Sequence, residues 1–342
     1  MKKLAVILVG LLITAAVVVP LFFEEDGLLG AGATFPHPLY SKMFDAYYKL
    51  YRVKINYEGI GSGGGIRQLL AKSVDFGGTD VPIRGESAEG IVGVPIAVGG
   101  VAITYNLPGS PPIKIPREVL TDIFSGKIAR WNDPRLKGAN PGVDLPDLPI
   151  IVVYRSDGSG TSALFTEFLA DVGPEWKDGP GTGLSIKWPV GVGAKGNAGV
   201  TALIGGLVGS VGYVELSYAL INGLPRAMIE NRRGNFILPS IESTDVCARV
   251  RIPEDAVITL VDTDEEEGYP ISGFTWIVLH RELDMRGMSQ KRARELVDLV
   301  WWMTHDGQRY CAPLGYAPLT TDAQEKAERL IESITYVRKP LR

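Results

Sequence analysis

Within nine residues, Tyr154-Arg155-Ser156-Asp157-Gly158-Ser159-Gly160-Thr161-Ser162, the chain sets a guanidinium, a carboxylate, several hydroxyls and two glycines side by side. The apolar run Ile150-Ile151-Val152-Val153 leads in, and Ala163-Leu164-Phe165-Thr166-Glu167-Phe168-Leu169 leads out with apolar residues at helical spacing. A strand, a glycine turn and a helix are therefore expected. The first amides of a helix lack internal partners and carry partial positive charge, so a turn of this kind holds an anion well. Arg155 adds a planar cation suited to oxyanions. Taken alone, the segment reads equally well as a capped helix start.

Two further turns share the pattern. Gly59-Ile60-Gly61-Ser62-Gly63-Gly64-Gly65 follows the alternating run Val53–Tyr57 and opens a helix, and no Gly-Lys-Ser/Thr closes it as a nucleotide loop would require. Gly30-Ala31-Gly32-Ala33-Thr34-Phe35-Pro36 precedes a helix carrying Leu39, Met43, Phe44, Tyr47 and Tyr51, with prolines where an opening turn tolerates them. Between these units, Val74-Asp75-Phe76-Gly77 delivers Asp80 to a turn. A carboxylate only accepts hydrogen bonds, so Asp80 beside an anion site selects an anion that carries a proton and repels one that does not.

Strands alternating with helices predict an α/β fold, with ligand-binding turns at the carboxyl ends of the strands. Candidate crossings near 104–110 and 268–274 predict two lobes: one from 27–106 plus 270–342, the other from 107–269. The turns at 34–35, 62–63 and 158–161 can then converge on a cleft between them. The chain has 342 residues, 45% hydrophobic and 22% charged, with 41 glycines and net charge −4, which fits two globular lobes and argues against nucleic acid as a partner. His37, His280 and His305 are scattered, so neither a zinc site nor a Ser-His-Asp triad is expected. Cys247 and Cys311 fit either one disulfide or two separate buried thiols. The acidic run Asp262–Gly268 reads as solvated surface. Residues 1–26 form a signal or anchor helix: Lys2 and Lys3, an apolar stretch from Leu4 to Phe23, then Glu24-Glu25-Asp26. The domain is then exported to the extracytoplasmic face of the membrane, tethered by this helix or released by cleavage.

These turns resemble those of the phosphate-binding proteins of phosphate ABC transporters, and the resemblance continues through Trp188-Pro189, Lys195-Gly196-Asn197 and Gly212-Tyr213-Val214-Glu215. It implies a two-lobed, type II periplasmic-binding fold that closes on inorganic phosphate, needs no cofactor, is not an enzyme, and delivers its ligand to membrane permease subunits; a monomer is expected. Carried over residue by residue, Thr34 gives its amide and hydroxyl, Phe35 its amide, and Ser62 its hydroxyl and amide. Asp80 accepts the ligand's proton, Arg155 supplies charge-assisted bonds, and Asp157 orients Arg155. Ser159, Gly160 and Thr161 complete the cage. Gly63 stands where the family often has Ser, and 221–267 matches least. The competing readings are a binding protein for molybdate, tungstate or sulfate, and a secreted phosphatase using Ser159 or Asp80; the absence of a base beside Ser159 weighs against the phosphatase.

Overall fold

The computed structural model describes residues 27–284 and 287–342, so the proposed leader at 1–26 lies outside the described residues. The first elements are β1 (Leu28–Gly32), α1 (His37–Tyr51), β2 (Ile55–Gly59), α2 (Ser62–Leu70), β3 (Phe76–Thr79) and β4 (Ile91–Tyr105). There follow β5 (Lys114–Ile115), α3 (Arg117–Phe124), α4 (Pro134–Ala139), β6 (Ile151–Arg155), α5 (Gly160–Val172), α6 (Pro174–Asp178), β7 (Val192–Ala194), α7 (Gly196–Gly206), β8 (Ser210–Glu215) and α8 (Leu216–Ile221). The remainder comprises β9 (Met228–Glu230), β10 (Phe236–Ile237), α9 (Ile241–Cys247), β11 (Leu260–Val261), β12 (Ile271–His280), α10 (Gln290–Thr304), α11 (Thr321–Glu332), β13 (Thr335–Tyr336) and β14 (Lys339–Pro340).

One long strand ties the molecule together. The main sheet runs β2-β1-β3-β12-β4-β8-β6-β7. Residues 91–100 of β4 pair antiparallel with β12, and Val101–Tyr105 pair antiparallel with β8. The strand thus changes neighbours halfway along and passes from one lobe into the other. On one side of this switch β1 is parallel to both β2 and β3; on the other, β6 is parallel to β7 and β8. Parallel strands need crossover helices, and those helices begin at the strands' carboxyl ends. The helix starts of both lobes consequently point at the same cleft.

Local sequence explains the helices. In α1, Leu39, Tyr40, Met43, Phe44 and Tyr47 are buried on one face, and the helix ends at Arg52, whose amide donates to Tyr48 O while its left-handed φ of 62° turns the following chain out of the helix. In the second lobe, Trp188 stacks on Tyr154 and Tyr213 with centroids 5.3 and 5.5 Å apart, and Phe165 stacks on Tyr213 at 4.6 Å. Cys247, Ala248, Ile252 and Leu260 pack in a cluster with Ala31, Phe274 and Ala317. Cys247 and Cys311 are separate free thiols, both buried. Asp262 departs from the solvated reading. It is buried in a left-handed conformation with a φ of 50°, and its Oδ2 is paired to Arg117 at 2.6 Å and Arg232 at 3.1 Å. No described helix is long and apolar enough to cross a membrane.

Candidate anion-binding site

Four helix N-termini meet between the lobes: α1 and α2 from one, α5 and α7 from the other. Contacts across the cleft are direct. Gly63 N donates to Gly158 O at 2.9 Å, Gly160 N to Ser62 Oγ at 3.2 Å, and Tyr218 Oη to Thr34 O at 2.8 Å. Glycine is required for this approach. A Cβ at Gly61, where φ is +83°, would lie 2.5 Å from both Asp157 Oδ2 and Gly158 O.

The structure brings together all nine residues singled out from the sequence. Thr34 is buried three residues ahead of α1, and its Oγ1 accepts from Asn197 N at 3.2 Å and Asn197 Nδ2 at 3.0 Å. Phe35 packs its ring under Gly99, and its carbonyl accepts from Tyr316 Oη at 2.7 Å. Ser62 opens α2. Ser159 caps α5, its Oγ accepting from Ser162 N at 3.1 Å, and Gly160 and Thr161 form the first turn behind it.

Arg155 ends β6 with its side chain wholly buried. Its Nε and Nη2 grip Asp157 Oδ1 and Oδ2 at 2.8 and 2.5 Å, while Nη1 donates to Thr161 Oγ1 at 3.2 Å. Asp157 Oδ1 also accepts from Gly196 N at 3.0 Å, the first amide of α7. Burial works to raise the Asp157 pKa, but the Arg155 guanidinium and the Gly196 amide overcome it and hold the carboxyl below its ordinary value. The aromatic stack supports this group from beneath: Tyr213 Oη accepts from Arg155 N at 3.0 Å and lies 2.6 Å from Ser162 Oγ.

Asp80 is 1% exposed. Thr275 Oγ1 donates to its Oδ1 at 2.9 Å and Ser62 Oγ to its Oδ2 at 3.2 Å. Burial pushes its pKa up to about 7, against the opposing pull of Thr275, Arg155 and Ser62. A carboxylate beside two helix starts is thus held near the neutral point.

Sequence reasoning missed several supports. Thr275 sits mid-strand in β12, where a β-branched residue carries no functional signal. Asn197 joins Thr34 to Thr161, with Nδ2 3.2 Å from Thr161 Oγ1, and lies in a glycine turn of the same kind as the three that were read, which is the signal that could have found it. Glu215, the cap of α8, is buried, and its Oε2 accepts from Ser217 N at 2.8 Å and contacts Tyr316 Oη at 3.0 Å. Tyr316 has one proton and also faces Phe35 O, so a protonated Glu215 fits this arrangement; burial pushes its pKa up to about 8. Among the described residues there is no group of three or more side chains placed to hold a metal ion.

The model of the PBP superfamily domain matches residues 24–291. The phosphate-binding protein PstS of Pasteurella multocida is 38% identical over 335 residues, covering 96% of this chain and 95% of its own length. That of Haemophilus influenzae is 38% identical over 308 residues, covering 88% and 91%. Among solved structures, the high-affinity periplasmic phosphate-binding protein PfluDING, bound with phosphate at pH 8.5, superposes with a TM-score of 0.72 over 89% of this chain and 93% of that one; at 21% identity this is a likeness of fold. Two lobes joined through a shared strand, helix starts facing across a cleft and this extent of sequence identity lead to one conclusion: the chain belongs to the PstS family of phosphate-binding proteins, with the type II periplasmic-binding fold.

Proposed function

We propose that this chain captures inorganic phosphate between its lobes and delivers it to the membrane permease subunits of an ABC importer. The lobes are 27–106 with 270–342, and 107–269, with the α9–β11 segment packed against the first. Thr34, Phe35, Ser62, Ser159, Gly160 and Thr161 surround the anion with amides and hydroxyls, Ser62 through its amide because its hydroxyl proton goes to Asp80. Arg155, oriented by Asp157, supplies the cation. The protein acts by binding alone, as a monomer outside the cytoplasmic membrane, where residues 1–26 carry it as leader or tether.

The observation that carries this reading is Asp80, buried between the starts of α2 and α5 with both carboxylate oxygens already held by hydroxyls. Such a group penalises an anion without a proton and accepts a bond from one that has it. Phosphate near pH 7 has that hydrogen, and sulfate has none. Closure multiplies the contacts on the anion, so phosphate shifts the population towards closed lobes.

Titration calorimetry of the purified chain with phosphate, sulfate, molybdate and tungstate tests the proposal. Phosphate is expected to bind most tightly, and Asp80→Asn to narrow the gap between phosphate and sulfate by about 100-fold, roughly one repelled charge-assisted contact. Equal affinity of the unaltered chain for phosphate and sulfate overturns it. Turnover of a chromogenic phosphoester that vanishes in Ser159→Ala would establish a phosphatase instead.

A further inference from the structure

Asn197 lies in the first turn of α7 and is fully buried, and every polar atom of its side chain is used. Its Oδ1 accepts from Glu215 N at 2.9 Å, at the end of β8. A backbone amide can only donate, so this bond settles which end of the amide is oxygen. Nδ2 therefore faces the cleft, giving one hydrogen to Thr34 Oγ1 at 3.0 Å and the other to Thr161 Oγ1 at 3.2 Å. The Asn197 backbone amide also donates to Thr34 Oγ1, at 3.2 Å.

A hydroxyl carries one proton and two acceptor lone pairs. Thr34 Oγ1 takes two donors, both from Asn197. Thr161 Oγ1 also takes two, one from Asn197 and one from Arg155 Nη1 at 3.2 Å. With both lone-pair directions filled, each hydroxyl has only its proton left to offer. An oxyanion is rich in acceptors, and a free hydroxyl rotor would spend part of its time presenting lone pairs to it.

We propose that Asn197 is a positioning residue that fixes the hydroxyls of Thr34 and Thr161 as donors to the bound anion. The proposal rests on the phosphate-binding reading of these threonines. Because Thr34 belongs to one lobe and Thr161 to the other, a single amide orients donors on both sides of the cleft, and does so only when the lobes are closed. Asn197 itself need not touch the ligand.

The test is a four-protein cycle read by titration calorimetry with inorganic phosphate: the unaltered chain, Asn197→Ala, the pair Thr34→Val with Thr161→Val, and the triple variant. Asn197→Ala is expected to weaken phosphate by about 30-fold in the unaltered chain, the loss of two aligned donors. In the valine background, where no hydroxyl remains to orient, the same change should cost less than about threefold. Equal losses in both backgrounds overturn the proposal, because a merely structural asparagine would be missed either way. Asn197→Asp repeats the cycle with the shape and the Glu215 contact kept. It replaces the two donors with an acceptor, so it should weaken phosphate more than alanine does while melting at a similar temperature; binding as tight as that of the unaltered chain also overturns the proposal. If the unaltered chain fails to bind phosphate, the functional reading fails first, and the two failures are told apart.

Discussion

Gly160→Ala separates closure of the lobes from stability of the fold. Gly160 is the first residue of α5 and is not in the left-handed region, so alanine fits its backbone and favours the helix. The obstacle is across the cleft. A Cβ at this position would lie 2.5 Å from Asp80 Oδ2, 2.6 Å from Ser62 Oγ and 2.7 Å from Asp80 Cβ. These atoms cannot swing away: Asp80 Oδ1 is tied to Thr275 and its Oδ2 to Ser62, all in a buried setting. The lobes must stand apart instead, breaking the Gly160 N–Ser62 Oγ and Gly63 N–Gly158 O bonds and moving the α5 amides off the ligand. Two or three such bonds at about 1 kcal/mol each, with about 1.4 kcal/mol per tenfold, weaken phosphate by about 100-fold. Gly158→Ala is the matched control. Its Cβ would come no closer than 3.3 Å to Gly63 Cα, a small fraction of the same penalty. Calorimetry should therefore rank the unaltered chain, Gly158→Ala and Gly160→Ala in that order, while thermal melting without phosphate leaves Gly160→Ala at or above the unaltered chain. Unaltered affinity in Gly160→Ala, or a fall in melting temperature that accounts for the loss, refutes the reasoning.

Arg155→Lys keeps the charge but loses the two-pronged grip on Asp157, so phosphate should weaken by about tenfold or more, and Arg155→Ala should lose far more than that; calorimetry showing both variants unchanged would contradict the role given to the guanidinium. Glu215 keeps its proton to about pH 8 when folded, chiefly through burial, against an ordinary value of 4.5. Between those values the unfolded chain binds fewer protons, so stability falls as pH rises, by up to about 1.4 kcal/mol per pH unit. Glu215→Gln removes that slope, most cleanly between pH 7 and 8, above the value reached by Asp80; denaturant unfolding with the same slope in both proteins would refute it.

The strand–turn–helix units were legible because everything that defines them is local. Glycines, hydroxyls and the apolar run of Ile150–Val153 lie within a few residues of one another, and helix-start chemistry follows from that proximity. What joins the units is not local. Asn197 stands 163 residues from Thr34 and 36 from Thr161, and Thr275 stands 195 from Asp80. Neither spacing leaves a periodic trace. Proline is unwelcome inside a sheet, so Pro95 alone argues against a strand running through it. In the structure β4 starts at Ile91, and Pro95 sits where the register with β12 shifts between Thr275 and Trp276, an irregularity that accommodates it. Asp262 misled for the opposite reason: four of its five successors are acidic, and only Arg117 and Arg232, remote in sequence, turn it inward.

The balance of full charges around the site explains why so many dipoles are recruited. Asp157 takes two prongs of the Arg155 guanidinium, and Asp80 adds a second acid, so the side-chain charges alone offer an anion little net attraction. The remaining attraction comes from oriented groups: the opening turns of α1, α2, α5 and α7, and hydroxyls whose lone pairs are already occupied. Such groups act over short range and must be aimed. Each lobe contributes two of the four helix starts, so neither can surround an anion by itself, and the full set of donors exists only with the cleft shut. On the proposed function, anion capture and lobe closure are then one event, and the same two acids that dilute the attraction would set its selectivity, Asp157 by aiming the cation and Asp80 by demanding a proton.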